Sequence, residues 1–365
     1  MTKTLRLYQN CIPVKGWNRS IIIDFVSHKI FPIPNTMFYI FKESSVISKN
    51  NYYDFNSEIF DEYYNYLINN NLVYLQKKIK SNFRFSELNK DWDFPSKITN
   101  SIICYNSSIF KKLINQLDDL GCKSIQVRIK KSSTQIIKKI LNSIKNTNIH
   151  NIEIISYRSM KSDYSEINDI IINNPRVYKF IQFSSNSNKI ITNSWLSRPK
   201  FILIESKFKK NNCGFISCHY FNFNFVFYTE ALQYNSCLNR KVVIDFNGEI
   251  KNCPAMNCSF GNILKDSLIE TIEKPDFKKK WHINKDKIEV CKDCEFRYLC
   301  PDCRAFLKDP GNIYSQPAKC EYNPYIAKWK GEEGYVPVEE CGRYIDGKFV
   351  LFAEKISELN KEIWG

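Results

Sequence analysis

Several things are missing from this chain of 365 residues, and each closes off a class of protein. No run approaches the roughly 20 consecutive apolar residues that a membrane-spanning helix needs, so a membrane partner is not expected. The stretch from Met1 to Arg19 is polar and broken, without the apolar segment of an export signal. Export is therefore not expected, and fourteen cysteines in such a chain do not read as a disulfide framework. They read as reduced thiols in the cytoplasm, open to metal. Acidic residues are also in the minority, 38 against 53 Lys and Arg, for a net charge of +15. A basic surface gains affinity for nucleic acid by releasing counterions from phosphate. Here the excess is mostly Lys, is spread along the chain and accompanies heavy use of Asn and Ile, so nucleic acid is not the expected partner. What is plentiful is core material: 43% of residues are hydrophobic and 15% aromatic, ample for a globular protein of more than one average domain.

The cysteines carry the pattern. From Cys291 to Cys303 the chain reads Cys-Lys-Asp-Cys-Glu-Phe-Arg-Tyr-Leu-Cys-Pro-Asp-Cys. Two C-x-x-C steps joined by five residues put four soft thiolates on one tight loop, a ligand arrangement for metal. Upstream, Cys237 is followed by ten residues, Gly248, four residues and Cys253; downstream, Cys320 stands alone.

This order resembles the SPASM domain, the cysteine-rich C-terminal module of many radical-SAM peptide-maturation enzymes, in which auxiliary iron-sulfur clusters are bound. The family usually has three residues before the cysteine that closes the second step, where this chain has two before Cys303. The resemblance implies that Cys291, Cys294, Cys300 and Cys320 hold one [4Fe-4S] cluster, and Cys237, Cys253 and Cys303 three corners of another. For the fourth corner Cys218 is favoured, with Cys258 and Cys213 as alternatives. Up to two such clusters would each add about two negative charges, making the loaded protein less basic than its sequence.

Taken in order, residues 1–80 read as a small α+β subdomain. A strand at Leu5-Arg-Leu-Tyr precedes a hairpin, Ser20 to Val26 with Lys29-Ile-Phe, turning at Ser27-His28. Two helices follow. One starts near Pro34 with Met37, Phe38 and Phe41 on a face, the other near Ser57 with Ile59, Phe60, Tyr63 and Leu67; the strand Leu72-Val-Tyr-Leu closes the set. This layout resembles the winged-helix-like domains with which peptide-modifying enzymes recognise a leader peptide, by adding a leader strand to a sheet edge.

Phe83 to Lys97 reads as a linker. Over 98–210, strand-like runs recur at Ser101, Ser124, Ile152, Val177 and Phe201, about 25 residues apart, the length of a strand plus a crossover helix. Apolar stripes mark the helices between them: Ile109, Phe110, Leu113, Ile114 and Leu117, ended by Gly121; Ile136, Ile137, Ile140, Leu141 and Ile144; and Ile167, Ile170 and Ile171. Ser184 to Pro199 shows no helix. Such a succession gives a parallel sheet, open or curled into a partial barrel.

A partial (β/α) barrel before a SPASM domain is the radical-SAM architecture, and that chemistry needs C-x3-C-x-x-C after the first barrel strand. Here that strand contains Cys104, and the following Asn106-Ser-Ser-Ile-Phe has no cysteine. Without three thiolates no site-differentiated cluster forms there, so a degenerate barrel and no S-adenosylmethionine site are expected. The fold class is thus α/β: a degenerate partial barrel of radical-SAM type, a winged-helix-like N-terminal subdomain, a SPASM domain over 211–345 and a tail over 346–365.

This combination resembles the SPASM-domain maturases of grasp-with-spasm systems, through Asn235-Ser-Cys-Leu-Asn-Arg-Lys, Ile250-Lys-Asn-Cys-Pro and Phe260-Gly-Asn-Ile. It implies an accessory protein for a ribosomally made, post-translationally modified peptide, with a short precursor peptide and an ATP-grasp ligase as partners.

Within the cysteine-rich third, Arg240 to Lys251 alternates apolar residues around Asn247-Gly248, a strong hairpin signal that would bring Cys237 and Cys253 side by side. Asp266 to Lys274 reads as a short helix closed by Pro275. The aromatic run Phe215 to Tyr228 reads as a core-facing strand. On a strand, Cys218 and His219 would point to opposite faces and not form a nucleophilic pair; His28, His150 and His282 read as surface or packing residues.

Other chemistries remain in view. Zinc also takes C-x-x-C pairs, though the five-residue spacer is short for a zinc hairpin, and such a site would serve a structural or nucleic-acid-binding protein. Clusters that act on the peptide themselves would make the chain a cluster-dependent modifying enzyme, and clusters that only staple a tail with little core would be structural. Disulfide redox chemistry would require a βαβ context that Cys291 lacks.

Overall fold

A computed structural model describes residues 4–43, 46–47, 57–76, 88–158, 164–192, 199–209 and 213–365. It divides into two units. One comprises Met1–Trp92, Ile216–Ser236 and Ile283–Gly365, the other Asp93–Phe215 and Cys237–His282. No helix among the described residues is long and apolar enough to cross a membrane.

The first unit begins with β1 (Thr4–Leu7), β2 (Cys11–Val14), β3 (Ser20–Asp24) and β4 (Lys29–Ile33). The last three form an antiparallel sheet in the order β2-β3-β4. The hairpin turns at Ser27-His28 as expected, with His28 in the left-handed region at φ +56°. The unbroken Ile21-Ile22-Ile23 run is explained by burial on both faces, because successive side chains alternate across a strand. Ile22 joins a core with Met37, Ile40 and Phe60. Ile21 and Ile23 join another with Tyr228, Phe296, Leu299 and Tyr322. Next come α1 (Asn35–Glu43), β5 (Val46–Ile47), α2 (Ser57–Asn69) and β6 (Val73–Gln76). β1 lies between β5 and β6 in a second small antiparallel sheet.

The second unit is built on β7 (Asn100–Cys104), α3 (Phe110–Asp119), β8 (Ser124–Ile129), α4 (Thr134–Ile144), β9 (Asn151–Ser156), α5 (Tyr164–Ile172) and β10 (Val177–Gln182). β11 (Lys189–Thr192) and β12 (Pro199–Leu203) follow. The five anticipated strands pair in parallel, β7-β8-β9-β10-β12. β11, which had no sequence signal, pairs antiparallel along β12 at the edge. The helical stripes are the buried faces: Phe110, Leu113, Ile114 and Leu117 on α3, and Ile137, Ile140, Leu141 and Ile144 on α4. Ser133 caps α4 by accepting from Ile136 N. Gly121, at φ +78°, ends α3; a Cβ there would lie 2.8 Å from Ser96 Oγ.

The aromatic stretch after Phe215 is not a strand. It makes a 3-10 turn at Cys218–Tyr220 and then α6 (Phe225–Gln233). The Asn224 side chain accepts from Val226 N and Phe227 N, an N-cap that starts a helix in which Phe225, Tyr228 and Leu232 share a face. The local cap thus overrode the β-propensity of the aromatics.

The hairpin of the cysteine-rich third, β13 (Lys241–Ile244) and β14 (Ile250–Lys251), is an extension of the large sheet. β13 runs parallel to β7, and the order is β11-β12-β10-β9-β8-β7-β13-β14. Its turn is longer than the two-residue kind: Asp245 accepts from Asn247 N and Glu249 N, and Gly248 sits at φ +82°. Pro275 opens a helix as well as ending one, since α7 (Leu268–Glu273) passes through Lys274 into α8 (Pro275–Lys278).

Back in the first unit come β15 (Tyr322–Asn323), β16 (Lys328–Trp329), β17 (Gly342–Ile345), β18 (Lys348–Leu351) and α9 (Ala353–Trp364). α9 is docked. Ile356 is buried with Val290, Tyr325, Ile326 and Val338, and Asn360 and Trp364 donate to the carbonyls of Tyr325 and Ile326.

Candidate metal centre

Tight turns shape the loop that carries three of the cysteines. Val290, a β-branched residue, is held in the left-handed region at φ +66°, a strained conformation that its surroundings must impose. A 3-10 turn follows at Cys291–Asp293, Cys294 N donates to Cys291 O, and Cys300 N donates to Phe296 O. Cys320 is brought up by a parallel bridge to Ile216. The result is that Cys291, Cys294, Cys300 and Cys320, all free thiols, line one partly open pocket with walls otherwise mainly apolar. Among the described residues, no three His, Cys, Asp or Glu side chains are drawn together closely enough to hold a single metal ion. The four thiols border a volume.

Burial governs their protonation. It pushes the Cys291 thiol up to about 11 and Cys300 to about 12, and raises Cys294 well above an ordinary thiol. A metal would therefore displace protons as it bound. Lys285 works the other way. Its Nζ lies 3.9 Å from Cys291 Sγ and 3.8 Å from Cys300 Sγ, and its charge lowers both thiols. Burial opposes the Lys285 charge, but the sulfurs of Cys291 and Cys300 once ionised, together with the Asp302 carboxylate facing it, hold the proton on. Asp302 in turn accepts from Arg304 Nε at 2.7 Å and Nη2 at 2.9 Å, and from Asn235 Nδ2. No cysteine spacing announces Lys285, Asp302 or Arg304, because their partnership is tertiary.

The donor set fits an iron-sulfur group: four soft thiols around a low-polarity volume, with a cation beside two of them. Gln316 also borders the pocket, and its buried Oε1 has no partner.

The remaining sequence candidates fall in different places. Cys237 and Cys253 are in the second unit, at the two ends of the β13–β14 hairpin. Lys241 Nζ lies 3.5 Å from Cys237 Sγ, and Cys253 Sγ accepts from Ala255 N. Burial pushes Cys253 up to about 11, and the charges of Cys237 and Cys213 add to the rise. Beside it, Asn252 is 1% exposed with neither side-chain atom partnered. Cys213 and Cys258 are exposed in this unit; Cys218, exposed, and Cys303, buried, belong to the other.

At the end of β7, Cys104 is buried and the next turn is closed by Asn106, which accepts from Ser108 N and Oγ. Cys11 and Cys122 are buried thiols raised to about 12, mainly by burial; they are inert packing groups.

The SPASM family, an iron-sulfur cluster-binding domain, matches residues 236–295. Two solved structures of Streptococcus suis SuiB resemble the chain. The one bound to S-adenosylmethionine is 12% identical with a TM-score of 0.35, over 87% of this chain and 99% of that one. The one bound to the precursor peptide SuiA is 12% identical with a TM-score of 0.32, over 88% and 100%. No curated protein matches.

Proposed function

We propose that this chain is a peptide-maturation protein that binds a short precursor peptide and presents it to a partner ATP-grasp ligase, and that its cysteine-rich region carries iron-sulfur clusters. The observation that carries the cluster reading is the convergence of Cys291, Cys294, Cys300 and Cys320 on one largely apolar pocket, in a chain whose residues 236–295 match an iron-sulfur domain. Thiols spread around a volume suit a multi-iron cluster better than a single zinc, whose ligands would close on a point at about 2.3 Å. When bound, the cluster supplies a redox-capable or purely structural inorganic core; the chain's own residues supply the thiolates, the Lys285 cation and a largely apolar surround. The second cluster expected from the family resemblance rests on cysteine spacing alone.

Two features support a binding role without radical chemistry. The turn after β7 offers no thiolate, and among the described residues the N-terminal sheets leave strand edges of the kind to which a peptide strand adds. The test is anaerobic purification with iron and sulfide analysis, followed by titration of labelled short peptides from the adjoining reading frames. Iron, sulfide and saturable peptide binding are expected. Stoichiometric zinc without a cluster absorbance band would end the cluster reading. Cleavage of S-adenosylmethionine would end the accessory one.

A further inference from the structure

The buried charges beside the four-cysteine pocket do not balance. Among the described residues, Lys285, 4% exposed, and Arg304, 4% exposed, face a single anion, Asp302, also 4% exposed. Asp302 is already satisfied by the two-pronged contact with Arg304 and by Asn235. Lys285 stands farther off, with Nζ 3.4 Å from Asp302 Oδ1, and its other neighbours are the sulfurs of Cys291 and Cys300. One positive charge is therefore left over in a place where an uncompensated charge costs several kcal/mol. Its position is fixed: Lys285 opens a 3-10 turn whose Ile288 N donates to Lys285 O, and the preceding Asn284 donates to Leu232 O.

A surplus buried cation implies an anion that completes the site. We propose that the Lys285 ammonium is the built-in counter-charge of a cluster held by Cys291, Cys294, Cys300 and Cys320. It donates to two of the cluster's thiolate sulfurs and holds its reduction potential up. This rests on the iron-sulfur reading above. A four-iron cluster with four thiolates carries about two negative charges, and reduction adds a third. A fixed positive charge against the sulfurs favours the reduced form, and hydrogen bonds to sulfur act in the same direction. Lys285 is a positioning and tuning residue in this scheme.

The test is a spectroscopically monitored redox titration, with mediators and dithionite, of the full-length protein purified without air. Lys285→Met keeps chain length and apolar bulk and leaves Asp302 paired with Arg304. With wild-type iron content, its midpoint potential is expected to fall, and Lys285→Arg is expected to restore it towards wild type. If Lys285→Met is unfolded by circular dichroism, Lys285→Gln replaces it with the same expectation. A neutral variant that keeps both wild-type iron and wild-type potential overturns the proposal. Loss of iron in the folded neutral variants, with retention in Lys285→Arg, supports it as a requirement for assembly; loss in all three overturns it. A wild-type protein without iron fails differently, because it removes the cluster reading itself and this proposal with it.

Discussion

Arg19 Nε donates to Glu295 Oε1 at 2.9 Å, joining residues 276 positions apart. Glu295 directly follows Cys294 and its side chain is fully buried. Around this pair, Trp17 N donates to Asp293 O and Arg297 Nη1 donates to Lys15 O. The β2–β3 connection is thus fastened to the cysteine loop, and the N-terminal sheet and the four-thiol pocket share a core.

Breaking the pair should be costly. Arg19→Met leaves Glu295 buried opposite Tyr322 alone, and about 3–5 kcal/mol of stability is expected to be lost near neutral pH. Burial already raises the Glu295 carboxyl, with Arg19 opposing the rise; removing Arg19 raises it further. A carboxyl that binds its proton more tightly folded than unfolded loses stability as pH climbs through that window. The deficit of the variant should therefore shrink on acidification, read by urea denaturation at about pH 7.5 and about pH 5.5. Equal deficits at both values would show that the ion pair is not what stabilises the junction.

Metal and sheet should also be coupled. Chelation of iron under reducing conditions is expected to speed amide exchange in the cysteine loop 288–300 and in Ile21 to Ile23 of β3, which packs on Phe296 and Leu299. Faster exchange in the loop with β3 unchanged would contradict the shared core.

Among the cysteines, ligands and packing residues should separate cleanly. Cys294→Ala is expected to lower iron content. Cys341→Ala is expected to retain iron and to lose about 1–3 kcal/mol, because Cys341 is fully buried and accepts from Asn323 Nδ2. Iron analysis and thermal denaturation of both variants distinguish the outcomes, and equal iron in the two would remove Cys294 from the ligand set.

The hairpin between Cys237 and Cys253 depends on its turn. Gly248→Ala places a Cβ 2.9 Å from Asn262 Oδ1 at φ +82°, and a cost of about 1–3 kcal/mol is expected. Burial tends to raise the Asp245 carboxyl, but hydrogen bonds from Lys251, Asn247 N and Glu249 N hold it below its usual value. Its contribution is present above the ordinary carboxylate pKa and is lost as pH falls through the depressed one. Asp245→Ala should accordingly flatten the acid side of the stability profile.

α9 should behave as part of the fold. Ile356 has no exposed surface, and Ile356→Ala is expected to cost about 2–5 kcal/mol in a melting experiment. A change within error would mean that the helix contributes little to the core it closes.

Periodic elements were readable because their signals are local. The stripe on α3, its stop at Gly121 and the strands β7 to β10 need only neighbouring residues to be recognised. β11 escaped because a short edge strand has no alternation long enough to register, and α6 escaped because the Asn224 cap, a single polar residue, outweighed a run of aromatics. Asn247-Gly248 correctly marked a hairpin, yet nothing in it announced that β13 would pair with β7, more than a hundred residues earlier.

What the sequence by itself determined is the supply of thiols and their order along the chain, together with the alternation of strands and helices, since both are set by spacing and short-range sterics. Tertiary structure alone decided which thiols share a pocket and which charges lie beside them. Lys285, Asp302 and Arg304 acquire meaning only when burial removes water and forces each charge to find a partner, and that partner is chosen by the folded path of the chain.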